Sequence, residues 1–190
     1  LVSDAIGFTY EEEGHLFYVL TFPTADKTWV YDVSTEMWHE RASFTPDTGA
    51  FHRFKGSCFA NYQNIRMVGD YQGQSGYQMS RQFYVDGDTP LIALRRCPHI
   101  WSRENRKRIF HASLQIEFAP GVGLQTGQGS DPQVMMRFSD DGGATFGTQR
   151  LTSIGRAGQY KNRAMFRRLG RARDRVYEAS ISDPVRRDVV

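Results

Sequence analysis

The chain has 190 residues, of which 39% are hydrophobic and 24% charged, and its formal net charge is +3. This composition excludes a disordered chain, and no apolar run reaches the ~20 residues that a membrane-spanning helix requires. Two cysteines are too few for a fold held together by disulfides. The length predicts one sizeable folded region with a hydrophobic core.

Four short strands separated by turns are predicted within the first forty or so residues. The apolar run from His15 to Phe22 is typical of a buried strand. A Trp-x-Tyr-Asp…Thr-x-x-Trp hairpin follows, in which Asp32 and Thr35 are expected to close the turn. Trp29 and Trp38 are expected to pack between neighbouring sheets. This size and pattern match one blade of a β-propeller.

Similar groups of strands recur along the rest of the chain. Aromatic residues make up 13% of the sequence and there are 18 glycines, which favours short strands joined by tight turns. We therefore predict a single all-β region over residues 1–190, built from antiparallel four-stranded sheets as a partial β-propeller. The predicted blades and the final hairpin are 6–45, 50–90, 91–151 and 160–184.

Three groups of strands and a hairpin are too few for a closed propeller, which has ~4–8 blades. Three explanations stay open: a piece of a longer propeller chain, an assembly of several copies, or a β-sandwich. The chain begins at Leu1 rather than Met, which favours the C-terminal part of a longer chain.

The strongest local motif lies at residues 139–146, SDDGGATF, which fit the Asp-box pattern Ser-x-Asp-x-Gly-x-Thr-Trp/Phe. In this pattern the Asp carboxylate accepts hydrogen bonds from the turn, Gly permits a positive φ, and the aromatic residue anchors the hairpin. We predict that this motif is structural and lies on a loop joining two adjacent strands. Its residues are Ser139, Asp141, Gly143, Thr145 and Phe146.

No convergent catalytic or metal-binding set is visible. The Gly-rich loop at 121–132 departs from G-x-G-x-x-G, and the five histidines lack metal-ligand spacing. Tyr177 and Glu178 are the residue types of a sialidase nucleophile pair, but neighbours on a strand point to opposite faces. We predict no catalytic residue, no metal and no cofactor. A carbohydrate-binding or sialidase-like propeller fragment stays as the alternative.

The charge is unevenly distributed along the chain. Residues 1–149 carry a net charge of −4 and residues 150–190 a net charge of +7. In a strand, the odd-numbered arginines near the C-terminus would all lie on one face. This basic face would either contact an acidic partner or be exposed to solvent. We favour protein neighbours over DNA, with the 160–184 hairpin docking on acidic residues of 1–149 or contacting another subunit or another protein. The candidate contact residues are Arg163, Arg167, Arg168, Arg171, Arg173 and Arg175.

An ordered series of motifs runs along the chain: Gly121–Met135, Ser139–Gly143, Ser153–Tyr160 and Arg168–Val176, with Gly14–Pro23 and Trp38–Arg41. This series resembles the C-terminal portion of the packaged-DNA stabilisation proteins, or tail accessory (hub) proteins, of short-tailed bacteriophages. The resemblance implies a non-enzymatic virion protein that assembles as a homo-oligomeric ring below the portal, extends or plugs its channel and retains DNA. It implies contacts with other tail or portal-associated proteins and transient contact with channel DNA, without a membrane. It also implies a phage or prophage gene, with the product in the host cytoplasm during assembly and then in the virion tail.

Overall fold

The computed structural model describes residues 3–73, 75–103, 107–119 and 121–189, and these residues form antiparallel β-strands without a helix. The predicted all-β class with antiparallel sheets is therefore confirmed. The chain divides into two compact units, residues 1–91 and residues 92–190. Among the residues described, none belongs to a helix that is long and apolar enough to cross a membrane.

The first unit begins with a four-stranded meander, in which each strand pairs with the next. Alternation along the strands places Tyr10, Val19 and Val30 on one face, and these side chains are 3%, 0% and 0% exposed. The phenyl ring of Phe59 covers this face by stacking on Phe8, with ring centroids 5.6 Å apart. The strands are β1 (Ile6–Glu12), β2 (His15–Phe22), β3 (Lys27–Asp32) and β4 (Met37–Glu40).

The opposite face of this meander is exposed. Trp29 and Trp38 lie on it and are 39% and 52% exposed, so the structure does not reproduce their predicted packing between sheets. The turn prediction is confirmed, because Asp32 accepts hydrogen bonds from the Ser34 amide at 2.9 Å and the Thr35 hydroxyl at 3.0 Å. The turn could be predicted because it depends on neighbouring residues. The burial of Trp29 and Trp38 could not, because it depends on whether a distant part of the chain packs on their face of the sheet.

The rest of the first unit consists of two antiparallel pairs and one three-stranded sheet. β5 pairs with β6, β10 pairs with β11, and β7, β8 and β9 form a three-stranded meander. The strands are β5 (Ala42–Thr45), β6 (Ala50–Arg53), β7 (Gly56–Tyr62), β8 (Ile65–Asp70), β9 (Gly76–Met79), β10 (Val85–Asp86) and β11 (Thr89–Pro90).

The second unit contains a larger sheet and two smaller strand pairs. In the larger sheet the order is β12-β20-β16-β17, and β13 also pairs with β20. The smaller pairs are β15 with β18 and β14 with β19. The strands are β12 (Ala93–Arg96), β13 (Ile100–Trp101), β14 (Ile109–Phe110), β15 (Ser113–Ile116), β16 (Gln133–Ser139), β17 (Arg150–Ser153), β18 (Ala164–Arg167), β19 (Arg171–Ala172) and β20 (Asp174–Ile181).

The core of the second unit lies between the larger sheet and the β15–β18 pair. Val134, Met136 and Tyr177 contribute to it from the larger sheet, and Ala164 and Phe166 contribute from β18. Two layers of antiparallel strands around one core are consistent with a β-sandwich. The described residues form no closed propeller.

Two strand groupings predicted from the sequence are wrong. Residues 160–184 are not a self-paired hairpin, because β18 pairs with β15 while β20 pairs with β12 and β16. Residues 91–151 are not a self-contained sheet, since β20 lies between β12 and β16. The physical reason is that β20 is hydrogen-bonded to β12 along one edge and to β16 along the other, a central position that turn residues alone do not specify.

Candidate interaction surface

The 139–146 turn lies in the connection between β16 and β17, which are adjacent antiparallel strands. The Asp141 carboxylate accepts hydrogen bonds from the Thr145 amide at 2.9 Å and from the Thr145 hydroxyl at 2.6 Å. The Ser139 hydroxyl donates to Asp141 at 2.5 Å and accepts from the Gly143 amide at 2.8 Å. Gly143 has a φ of 91°, a conformation that disfavours other residues.

These contacts stabilise the ionised form of Asp141. The hydrogen bonds from Ser139 and then Thr145 hold the pKa of this carboxyl far below its ordinary value. The hydrogen bonds of the turn are therefore accepted by an Asp141 carboxylate that stays ionised well into the acidic range.

Phe146 packs against arginine side chains. Its ring centroid lies 4.9 Å from the guanidinium carbon of Arg96 and 4.8 Å from that of Arg137. Arginine stacks well on aromatic faces because its charge is delocalised over a flat group. The aromatic residue of the motif thus lies beside a pair of cations on the larger sheet.

Glu178 lies between the same two arginines. Its register partners are Arg96 on β12 and Arg137 on β16, so the three residues form a row across the sheet. The Nε atoms of both arginines donate to the Glu178 carboxylate at 2.5 Å, and the Glu178 side chain is 2% exposed. Burial raises the pKa of Glu178, but hydrogen bonds from Arg137 and Arg96 outweigh burial and hold this pKa below its ordinary value.

Arg175 is buried, so its assignment to an exposed contact stripe is wrong. It is 1% exposed, and its guanidinium binds both carboxylate oxygens of Asp140, at 2.6 and 2.8 Å. Its Nη1 donates to the Leu169 carbonyl at 2.6 Å, and the guanidinium carbon lies 4.0 Å from the Phe138 ring centroid. Strand alternation placed Arg175 with the other odd-numbered arginines, but the bend at Arg173 and the central position of β20 bury it.

The other five candidate arginines are exposed. Arg163 lies 3.8 Å from a carboxylate oxygen of Glu117, and Arg171 pairs in register with Phe110, which is 71% exposed. Arg168, directly after β18, has a φ of 58°, in the left-handed region of backbone conformation. The exposed arginine segment, defined here as residues 163–173, therefore combines basic side chains with a neighbouring exposed aromatic ring. Its arginines are Arg163, Arg167, Arg168, Arg171 and Arg173.

Tyr177 and Glu178, the residue types of a sialidase nucleophile pair, are buried in the second unit. Tyr177 and Glu178 are 6% and 2% exposed, and they point to opposite faces of β20. In the part of the chain that the structure describes, no group of three or more His, Cys, Asp or Glu residues could hold a metal ion. In the Gly-rich loop, a Cβ at Gly123 would lie 2.7 Å from the Ala157 amide nitrogen, so glycine permits a close backbone approach there.

The arginine–glutamate row and the Arg175–Asp140 pair were not identified from the sequence. Their members are separated by 82, 41 and 35 residues, so no local motif could indicate them. The available signal was Glu178, which lies between Tyr177 and Ala179 in β20, because a carboxylate buried among such neighbours requires charged partners.

The fold and the surface define a two-layered antiparallel β-unit that exposes arginine-rich regions. Residues 97–189, just under half of the chain, match the family described as Bacteriophage P22 Gp10, beta-sandwich. A search of curated proteins gives no match. The beta-sandwich of that family is in keeping with the two layers of antiparallel strands in the second unit, and the match offers no support for the sialidase-like alternative.

Proposed function

We propose that the chain is a non-enzymatic structural protein of a phage tail that binds neighbouring virion proteins. The observation that carries this proposal is the similarity of residues 97–189 to the P22 Gp10 beta-sandwich. The exposed arginine segment supports it, because arginine and aromatic side chains are enriched at protein interfaces. Burial of Tyr177 and Glu178 is also in keeping with a role other than catalysis.

The proposed role in the tail is that of a hub protein. In this role several copies form a ring at the portal, extend or plug its channel, and keep the packaged DNA inside. The resemblance of the sequence motifs to packaged-DNA stabilisation proteins supports this finer role. The protein would reach the tail from the host cytoplasm and contact DNA transiently in the channel.

The proposed organisation places this chain at the C-terminal end of a longer tail protein. Residues 6–45 and 50–90 would correspond to propeller blades, and the four-stranded meander of β1–β4 supports the first of them. The 139–146 turn would be a structural Asp-box, supported by the hydrogen bonds that Asp141 accepts. The exposed arginine segment would contact acidic protein neighbours, and channel DNA to a smaller extent.

Deletion of the gene from its phage, with and without a complementing plasmid, tests this proposal. We expect mass spectrometry to find the protein in purified virions. Particles made without it are expected to package DNA and then lose it, so that the DNA becomes sensitive to nuclease. Absence of the protein from virions, or full infectious yield after deletion, would contradict the proposal.

The non-enzymatic part of the proposal has its own test. Purified full-length protein is expected to turn over neither a sialoside nor a nucleotide. Turnover that one point mutation abolishes would overturn this part while leaving incorporation into virions unaffected.

A further inference from the structure

We propose that Arg96 and Arg137, stacked on Phe146, form a binding site for a carboxylate of an acidic protein segment. This site, the arginine clamp, lies on the larger sheet of the second unit and does not include the exposed arginine segment. It goes beyond the tail role, because it identifies a ligand chemistry and the residues that recognise it.

The two cations of the arginine clamp are held in place from two sides. Glu178 binds the Nε atom of each arginine from within the sheet, and Phe146 lies within 5 Å of both guanidinium carbons. Arginine side chains otherwise lose considerable rotamer freedom when they bind a ligand. Prior fixing of both guanidiniums reduces this loss and favours binding.

The clamp retains unused donors and excess positive charge. Each guanidinium has five N–H donors, and among the described residues its hydrogen bonds to protein groups are made through Nε. The Arg96 and Arg137 side chains are 54% and 35% exposed, so their outer nitrogens face solvent. One carboxylate, that of Glu178, compensates one of the two charges. A second carboxylate would complete the charge balance through charge-assisted hydrogen bonds.

The surroundings of the clamp favour a protein ligand over nucleic acid. Leu94 and Met135 both pair in register with Ser180. Because Ser180 is two residues from Glu178 on β20, its side chain and those of its two partners lie on the same sheet face as the clamp. Leu151 pairs with Met135 on this face and is 61% exposed, while Leu94 is 41% exposed. Arginine beside exposed apolar side chains is typical of protein interfaces, whereas phosphate backbones are bound mainly by polar and basic groups.

Fluorescence anisotropy with the purified chain tests the inference. The probe is a labelled ten-residue peptide with four glutamates and two leucines, and its neutral counterpart carries glutamine at each glutamate. A labelled DNA duplex of similar charge is the third ligand. All titrations are made at low and at physiological salt, since screening weakens an exposed ion pair.

The main variants are Arg96→Gln and Arg137→Gln, and we expect each to weaken binding of the acidic peptide roughly tenfold. Arg96→Lys keeps the positive charge and a partner for Glu178 but loses the planar fork, and we expect it to weaken binding as well. Arg186→Gln is the matched control, because it removes an exposed arginine of the same unit, 68% exposed and paired with Asp188. Thermal melts establish that each variant is folded.

Each result bears on the inference. Binding of the acidic peptide that is lost in the clamp variants and kept in the Arg186 control supports it. Equal binding by the clamp variants, no binding of the acidic peptide, or equal binding of the neutral peptide overturns it. Tighter binding of the duplex that depends on the same arginines also overturns it, in favour of a phosphate ligand. None of these results depends on whether the protein is found in virions.

Discussion

Arg175 and Asp140 form a bidentate ion pair between the central strand β20 and the start of the 139–146 turn. The guanidinium Nε and Nη2 lie 2.6 and 2.8 Å from the two carboxylate oxygens. Because the Arg175 side chain is 2% exposed and that of Asp140 is 46% exposed, the pair holds a buried cation by means of a carboxylate at the surface. The turn thereby supplies the negative charge that compensates the buried guanidinium of Arg175.

Removal of the Asp140 carboxylate is expected to destabilise the fold. Asp140→Ala leaves the buried guanidinium without its counter-charge, and we expect a loss of about 2–3 kcal/mol in the free energy of unfolding. Arg175→Met in addition should recover part of this loss, because the unpaired charge is then gone. Urea denaturation measures both effects.

The control for this prediction is Arg186→Ala, since Arg186 forms an ion pair at the surface. It is expected to change the free energy of unfolding by less than about 0.5 kcal/mol. A loss for Asp140→Ala no larger than that of the control would show that the buried pair is not needed.

Protonation of Asp141 is expected to weaken the fold in acid. Hydrogen bonds from Ser139 and Thr145 lower the pKa of Asp141 in the folded state, while in the unfolded chain an aspartate has a pKa of about 3.9. The unfolded state therefore binds protons first as the pH falls. The stabilisation is present above pH ~4 and is lost progressively below it.

Melting temperatures between pH ~2 and ~7 test this pH dependence. Asp141→Asn is expected to melt below the wild type at neutral pH, and the difference should shrink as the pH falls below ~4. A difference for Asp141→Asn that stays constant with pH would contradict the assignment.

Charge reversal in the exposed arginine segment is expected to impair assembly and leave the fold intact. Arg168→Glu with Arg171→Glu introduces repulsion from an acidic partner, and the defect should depend strongly on salt. Because both side chains are exposed, we expect the melting temperature to change little. If the double variant builds infectious, genome-filled particles at wild-type yield, the segment is a solvated surface.

Truncation in the core of the four-stranded meander is expected to destabilise the first unit. Val30→Ala removes two methyl groups from a fully buried position and should cost about 2 kcal/mol. Val33→Ala is the matched control, because Val33 is 47% exposed, and its effect should be within about 0.5 kcal/mol. Urea denaturation followed by tryptophan fluorescence measures both, and equal effects would contradict the placement of Val30.

The parts of the fold that could be predicted are those specified by neighbouring residues. The β1–β4 meander follows from short turns and alternation, and Asp32 and Thr35 close the turn that their spacing predicts. The exposed arginine segment and the turn between β16 and β17 were also indicated by local sequence. The arginine clamp could not be predicted, because its members come from separate strands and from the 139–146 turn.

The sequence by itself determined that this is an all-β protein with tight turns and with basic residues concentrated towards its C-terminus. Tertiary structure alone decided that β20 is the central strand, that Arg175 is buried and that Glu178 lies between Arg96 and Arg137. The reason is that strand length and turn type depend on neighbouring residues, whereas strand pairing depends on which apolar faces can be buried together. That choice involves residues up to 88 positions apart, as in the pairing of Ala93 with Ile181, and periodicity along one strand does not specify its partner.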